Sequence, residues 1–109
     1  MIQALQGWFQ VRFDVNSIFL DIRPPEREVR DAQISWTDII RVCFKPGDYI
    51  ESDEIYIFIK QQAESYRIPI DAGGGFELWM EIIRRGYFDA QLAIDISTKS
   101  EGVFCWPEG

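Results

Sequence analysis

Residues 75–86, GFELWMEIIRRG, place the strongest constraint on what this chain can fold into. Phe76, Trp79, Met80 and Ile83 recur at i, i+3, i+4 and i+7, the spacing of one helical face, and Leu78 and Ile82 widen that stripe. Glu77, Glu81, Arg84 and Arg85 supply the wet side. Gly86 stands where a helix often ends with positive φ, and the two arginines suit the negative end of the helix dipole. Nearly everything before this segment reads as strand, so the spacing predicts a helix that covers one face of a sheet.

In WFQVRFDV (8–15), Phe9, Val11, Phe13 and Val15 alternate with Gln10, Arg12 and Asp14, the pattern of a half-buried strand. Asn16 tolerates left-handed φ and opens a short hairpin into IFLDIR (18–23), which Pro24-Pro25 ends before the charged run Glu26–Asp31. A long strand is expected over AQISWTDIIRVCF (32–44). Ile34, Trp36, Ile40, Val42 and Phe44 share a parity in it with Asp38, so a bulge near Thr37-Asp38 would turn Asp38 outward and re-aim Ile39. Lys45-Pro46-Gly47-Asp48 is a turn and Tyr49–Asp53 a loop. EIYIFIK (54–60) and SYRIPI (65–70) are further strands, the second held to an edge or strand end by Pro69. After Gly86, Phe88, Leu92 and Ile96 at i, i+4 and i+8 predict a short second helix capped by Asp89, and VFCW (103–106) a short terminal strand.

A chain of 109 residues forms one domain able to bury a core without metal or disulfide staples. A net charge of −7 argues against phosphate-backbone binding, so no nucleic acid is expected. No apolar run reaches the ~20 residues of a membrane span, and the N-terminus lacks a basic n-region, so neither membrane insertion nor a signal peptide is expected. Cys43 and Cys105 lack CxxC spacing and read as separate thiols in a cytoplasmic protein. With no histidine in the chain, a common zinc or haem site and a Ser-His-Asp triad cannot be assembled.

The order of these parts, with Trp36, Asp38, Ile39, Ile40 and Val42 as W-x-D-I-I-x-V, Ile68-Pro69 closing a strand, and then a helix carrying Leu78, Trp79 and Ile82, resembles small bacterial pleckstrin-homology-like domains. The resemblance covers about residues 8–86. It implies an α+β fold: a curved antiparallel sheet or partial barrel of five to seven strands covered by a C-terminal amphipathic helix. On that reading residues 1–109 are one PH-like domain, and 87–109 are a short C-terminal extension outside the family pattern. No basic phosphoinositide-binding loop is present to carry lipid binding over.

Ala72–Gly75 lacks the Lys-Ser/Thr of a P-loop and reads as a flexible strand-to-helix connection. Asp21 and Asp38 read as solvated or hydrogen-bonded structural carboxylates. Asp48, Glu51, Asp53 and Glu54 form an acidic loop whose spacing matches no EF-hand, so no metal and no cofactor are expected. These four acids are free to reach a partner without helping to fold the protein. Trp36 and Trp79 belong to the core by periodicity, whereas Trp8 and Trp106, near the termini, suit interface anchors. The expected function is a non-catalytic, soluble interaction module, such as an immunity-type protein binding a basic partner, with a sheet edge also available for a homodimer. The alternative is a small-molecule or lipid carrier using the sheet–helix cleft.

Overall fold

The computed structural model describes residues 8–24, 28–47 and 52–107. Two antiparallel sheets and two helices make an α+β fold. The first sheet is a meander of β1 (Phe9–Phe13), β2 (Ser17–Ile22) and β3 (Arg30–Ser35). The second has the order β6-β5-β4-β7, from β4 (Ile39–Lys45), β5 (Glu54–Ile59), β6 (Tyr66–Pro69) and the C-terminal β7 (Phe104–Trp106). Helix α1 spans Gly75–Arg84 and α2 spans Ala90–Ile96.

The strand expected over residues 32–44 is two strands. A single 3-10 turn at Trp36–Asp38 carries the chain from the first sheet to the second. The physical reason lies in Trp36, which turns inward to 2% exposure while its indole N–H donates to the Asp14 carbonyl, 3.0 Å away. The irregularity in pairing falls slightly later than expected, between Ile39 and Arg41, where the β4–β5 register shifts. It buries Ile39 and leaves Ile40 exposed, the reverse of a simple alternation. Asp38 does face outward, 3.9 Å from Lys60 Nζ.

The β1–β2 turn is built by Asp14 rather than by a left-handed Asn16. Its carboxylate accepts the Asn16 and Ser17 N–H groups, both at 2.8 Å, and Gln61 is the non-glycine residue with positive φ among those described. The segment after β6 is likewise firmer than its glycine content suggested. The Gly73 N–H donates to the Phe9 carbonyl at 2.8 Å, and the Val11 N–H donates to the Gly73 carbonyl at 2.7 Å, so Gly73 lies along β1 as a parallel bridge. Gly74 has φ of 81°, and a Cβ there would stand 2.2 Å from the Val11 carbonyl oxygen. This connection is pinned rather than flexible, and only glycine fits its middle position.

Helix α1 forms as expected, but its buried face is turned from the expected one. Gly75, Leu78, Trp79 and Ile82 face inward, whereas Phe76 and Met80 are about half exposed. Both sets obey i, i+3, i+4, i+7 spacing. The true stripe was hidden because its first position is a glycine, where a Cβ would meet the carbonyl oxygens of Pro69 and Ile70 at 2.6 Å. Inside, Trp79 stacks on Phe44 with ring centroids 4.6 Å apart and tilts against Phe88 at 4.8 Å. Ile18, Ile34, Val42, Ile55, Ile57 and Ile68 bring residues of both sheets into the same core.

Residues 87–107 have a defined place in this arrangement. Phe88 and Ile96 are buried against the core, the Asp89 carboxylate caps α2 by accepting the Leu92 N–H at 2.9 Å, and β7 pairs with β4. Cys43 and Cys105 stand opposite each other in that pairing and form a disulfide, which corrects the expectation of separate thiols.

The rotation of α1 gives a direct test. Trp79→Ala should cost about 3–5 kcal/mol, since it empties a core site, while Phe76→Ala should cost about 0.5 kcal/mol or less, as for a surface change. Urea denaturation of the two variants measures both. Equal losses would mean that the stripe through Phe76 and Met80 faces the core after all.

Candidate interaction surface

The acidic loop does not present its carboxylates as one free set. Asp48 and Glu51 lie outside the described residues. Asp53 is half-buried, and its carboxylate accepts the Gly47 N–H at 2.6 Å while its carbonyl accepts from Ile70 N–H at 2.9 Å. It ties Gly47 to the residue before β5. Glu54 begins β5 and is 8% exposed; the Tyr56 hydroxyl donates to it at 2.8 Å, and Arg67 pairs with its other oxygen. Asp53 and Glu54 therefore help to fold the protein, contrary to the expectation that they only reach outward.

The two candidate tryptophan anchors also differ. Trp8 is half-buried and packs against the core, its ring 6.1 Å from that of Phe9. Trp106 lies on β7 and remains 38% exposed. Asp21 and Asp38 are not brought together: Asp21 pairs with Arg23 in the first sheet at 2.8 Å, and Asp38 faces Lys60 beside the second. Among the described residues no three of Cys, Asp and Glu gather as a metal site, and no helix is long and apolar enough to cross a membrane.

A cleft of about 200 Å3 opens between α1 and α2, walled by Phe44, Ile70, Phe76, Trp79 and Ile96. Asp53 and Lys99 also line it. That is smaller than the ~300–1,000 Å3 of a typical small-molecule site, and it fits a single side chain better than a lipid tail.

A cluster that sequence reasoning missed closes the opposite end of α1. The Arg85 guanidinium lies 4.1 Å from the centroid of Trp36, and Tyr87 stacks on Trp36 with centroids 5.5 Å apart. Arg85 also donates to the Asp14 carbonyl at 3.1 Å, and its Nε lies 2.7 Å from the Glu81 carboxylate. Only the choice of Arg over Lys hinted at this, since the planar guanidinium can stack and bond in its own plane at once. The cluster ties the end of α1 to the β1–β2 turn, so its role is structural.

Charge pairing sorts the surface. Arg23, Lys60, Arg67, Arg84 and Arg85 are each committed to a carboxylate of the chain itself. Asp31, Asp71, Glu77, Asp95 and Glu101 are exposed and have no ion-pair partner among the described residues. Arg12, Arg30 and Lys99 are exposed and in none of these pairs, so the acidic outward field follows from the net charge of −7 and not from how the cations are paired.

The Arg84 hydrogen bond, followed by that of Arg85, holds the Glu81 carboxyl at about 2, below its ordinary 4.5. Backbone N–H groups of Asn16 and Ser17 likewise lower Asp14. A depressed carboxyl contributes stability that is complete above its ordinary value and is lost as pH falls through its folded value. For Glu81 that window runs from about 4.5 down to about 2. The melting temperature of the native protein should therefore drop across this window, and Glu81→Gln should make the drop shallower. Identical pH slopes in the two proteins would remove Glu81 from the clamp.

Comparison of the chain with protein-family models, with curated proteins and with solved structures gave no match.

Proposed function

We propose that this chain is a non-catalytic interaction domain of PH-like architecture that binds a basic protein partner. The observation that carries this reading is the net charge of −7, with Asp31, Asp71, Glu77, Asp95 and Glu101 exposed and in no ion pair among the described residues. Such a surface accelerates encounter with a positively charged protein and disfavours acidic ones. The succession of a meander, a second antiparallel sheet and α1 agrees with the order that a PH-like domain implies. A curved sheet or partial barrel is the finer form of that proposal. An immunity-type protein, which neutralises a basic toxin by charge complementarity, is its most specific functional form. Trp106 is the apolar anchor that remains available; Asp48 and Glu51 are further acids of the sequence and lie outside the described residues. A carrier role is disfavoured by a cleft of about 200 Å3. The cytoplasmic setting expected from separate thiols loses that support, because disulfides persist mainly in oxidising compartments.

The test uses exposed acids that hold no fold contact to a cation. A variant combining Asp71→Asn, Glu77→Gln, Asp95→Asn and Glu101→Gln should melt close to the native protein. With a basic partner captured from lysate of the source cell, its association rate at low salt should fall by about an order of magnitude, and salt should slow the native protein far more than the variant. Capture of an acidic partner, or an association rate that neither charge nor salt alters, would defeat the proposal.

A further inference from the structure

Strand β7 is attached to the molecule in an unusual way. It has three residues, and it lies at the edge of the second sheet with β4 as its neighbour. Its pairs are Val42 with Trp106, Cys43 with Cys105 and Phe44 with Phe104. The middle pair is the disulfide, which joins positions separated by 62 in sequence. Of the other two side chains, Phe104 is partly buried against the core and Trp106 is half in solvent.

The chain leading to β7 adds little hold. Every residue from Ser97 to Val103 is exposed, and Gly102 sits in the left-handed region at φ of 104°. Three ladder positions on an edge and one half-buried ring do not keep a strand in place, since isolated short pairings are marginal in water. Much of the core lies on elements other than β7. Ile55, Ile57 and Ile68 in the same sheet are fully buried through β4, β5 and β6, and α1 covers the interior with Leu78 and Ile82.

We infer that the Cys43–Cys105 disulfide is a redox latch: oxidised, it clamps β7 over the edge of β4, and reduced, it releases β7 from a domain that stays folded. The reductant is a dithiol. Its thiolate attacks the more exposed Cys105 sulfur, the Sγ–Sγ bond breaks, and Cys43 leaves as a thiolate that takes up a proton. The second thiol of the reductant then displaces Cys105, which is protonated in turn. Two electrons pass to the protein, and the reductant leaves as its own disulfide. Cys43 is 3% exposed and Cys105 only partly buried, so the first attack is directed to one sulfur. Release uncovers the backbone edge of β4, which the oxidised form conceals, and an open edge is a ready template for strand addition.

Hydrogen–deuterium exchange followed by mass spectrometry tests the latch on the full chain, in its oxidised form, after reduction with dithiothreitol under native conditions, and as Cys105→Ser. The amides of Phe104–Trp106, and those of β4 that bond to β7, should exchange about tenfold or more faster in the reduced protein and in the variant. Amides of β1–β3 and α1 should keep their protection. Unchanged exchange at β7 after reduction would overturn the inference, because the ladder would then suffice. Loss of protection throughout the chain would overturn it equally, because the bond would be a staple of the whole fold. So would recovery of both cysteines as free thiols from the air-oxidised native protein.

Discussion

The backbone junction between Gly73 and β1 is the interaction on which the other parts depend. Each sheet alone has one face to cover and edges to satisfy, and three or four short strands do not supply a stable core. Two hydrogen bonds, Gly73 N–H donating to the Phe9 carbonyl and Val11 N–H donating to the Gly73 carbonyl, bring the chain leaving β6 against the free side of β1. From there the positive φ of Gly74 turns the backbone, and Gly75 starts α1 against the carbonyls of Pro69 and Ile70. The rotation of α1 about its axis follows from that start. Leu78, Trp79 and Ile82 reach the core because the first turn cannot move away from β6. The Arg85 clamp then fixes the other end against the β1–β2 turn.

The same economy of positioning shapes the surface. Cations are spent on local geometry: Arg67 on the buried Glu54, Arg84 and Arg85 on Glu81, Arg23 on Asp21. Exposed pairs of this kind add little stability individually. Each pair joins one cation to one acid and leaves the charge balance as it was, so the acidic field comes from the excess of Asp and Glu that the net charge of −7 records.

What was legible in the sequence followed from local periodicity. The strands around Val11, Leu20, Ile57 and Ile68, both helices, the Asp89 cap and the inward tryptophans Trp36 and Trp79 all repeat with the period of their element. What was not legible depended on contacts across the chain. The 3-10 turn at Trp36–Asp38 interrupts a run that alternates acceptably, and its cause is a carbonyl at Asp14. Gly75 hid the true face of α1 because a glycine has no hydropathy to count. The disulfide joins two cysteines that only the β4–β7 register makes neighbours. For the candidate surface, acidity was evident from composition, but Glu54 and Asp53 could not be separated from freely reaching acids without knowing that Arg67, Tyr56 and Gly47 lie beside them.

The central claim is that the glycine segment is a pinned junction rather than a loose linker. Amide hydrogen exchange measured residue by residue by NMR on the native chain tests it most directly. The account predicts that the Val11 and Gly73 amides are protected as strongly as those in the middle of β5, because they open only when the sheets part. Exchange at Gly73 as fast as at the exposed Gln62–Glu64 turn, with β5 still protected, would contradict it.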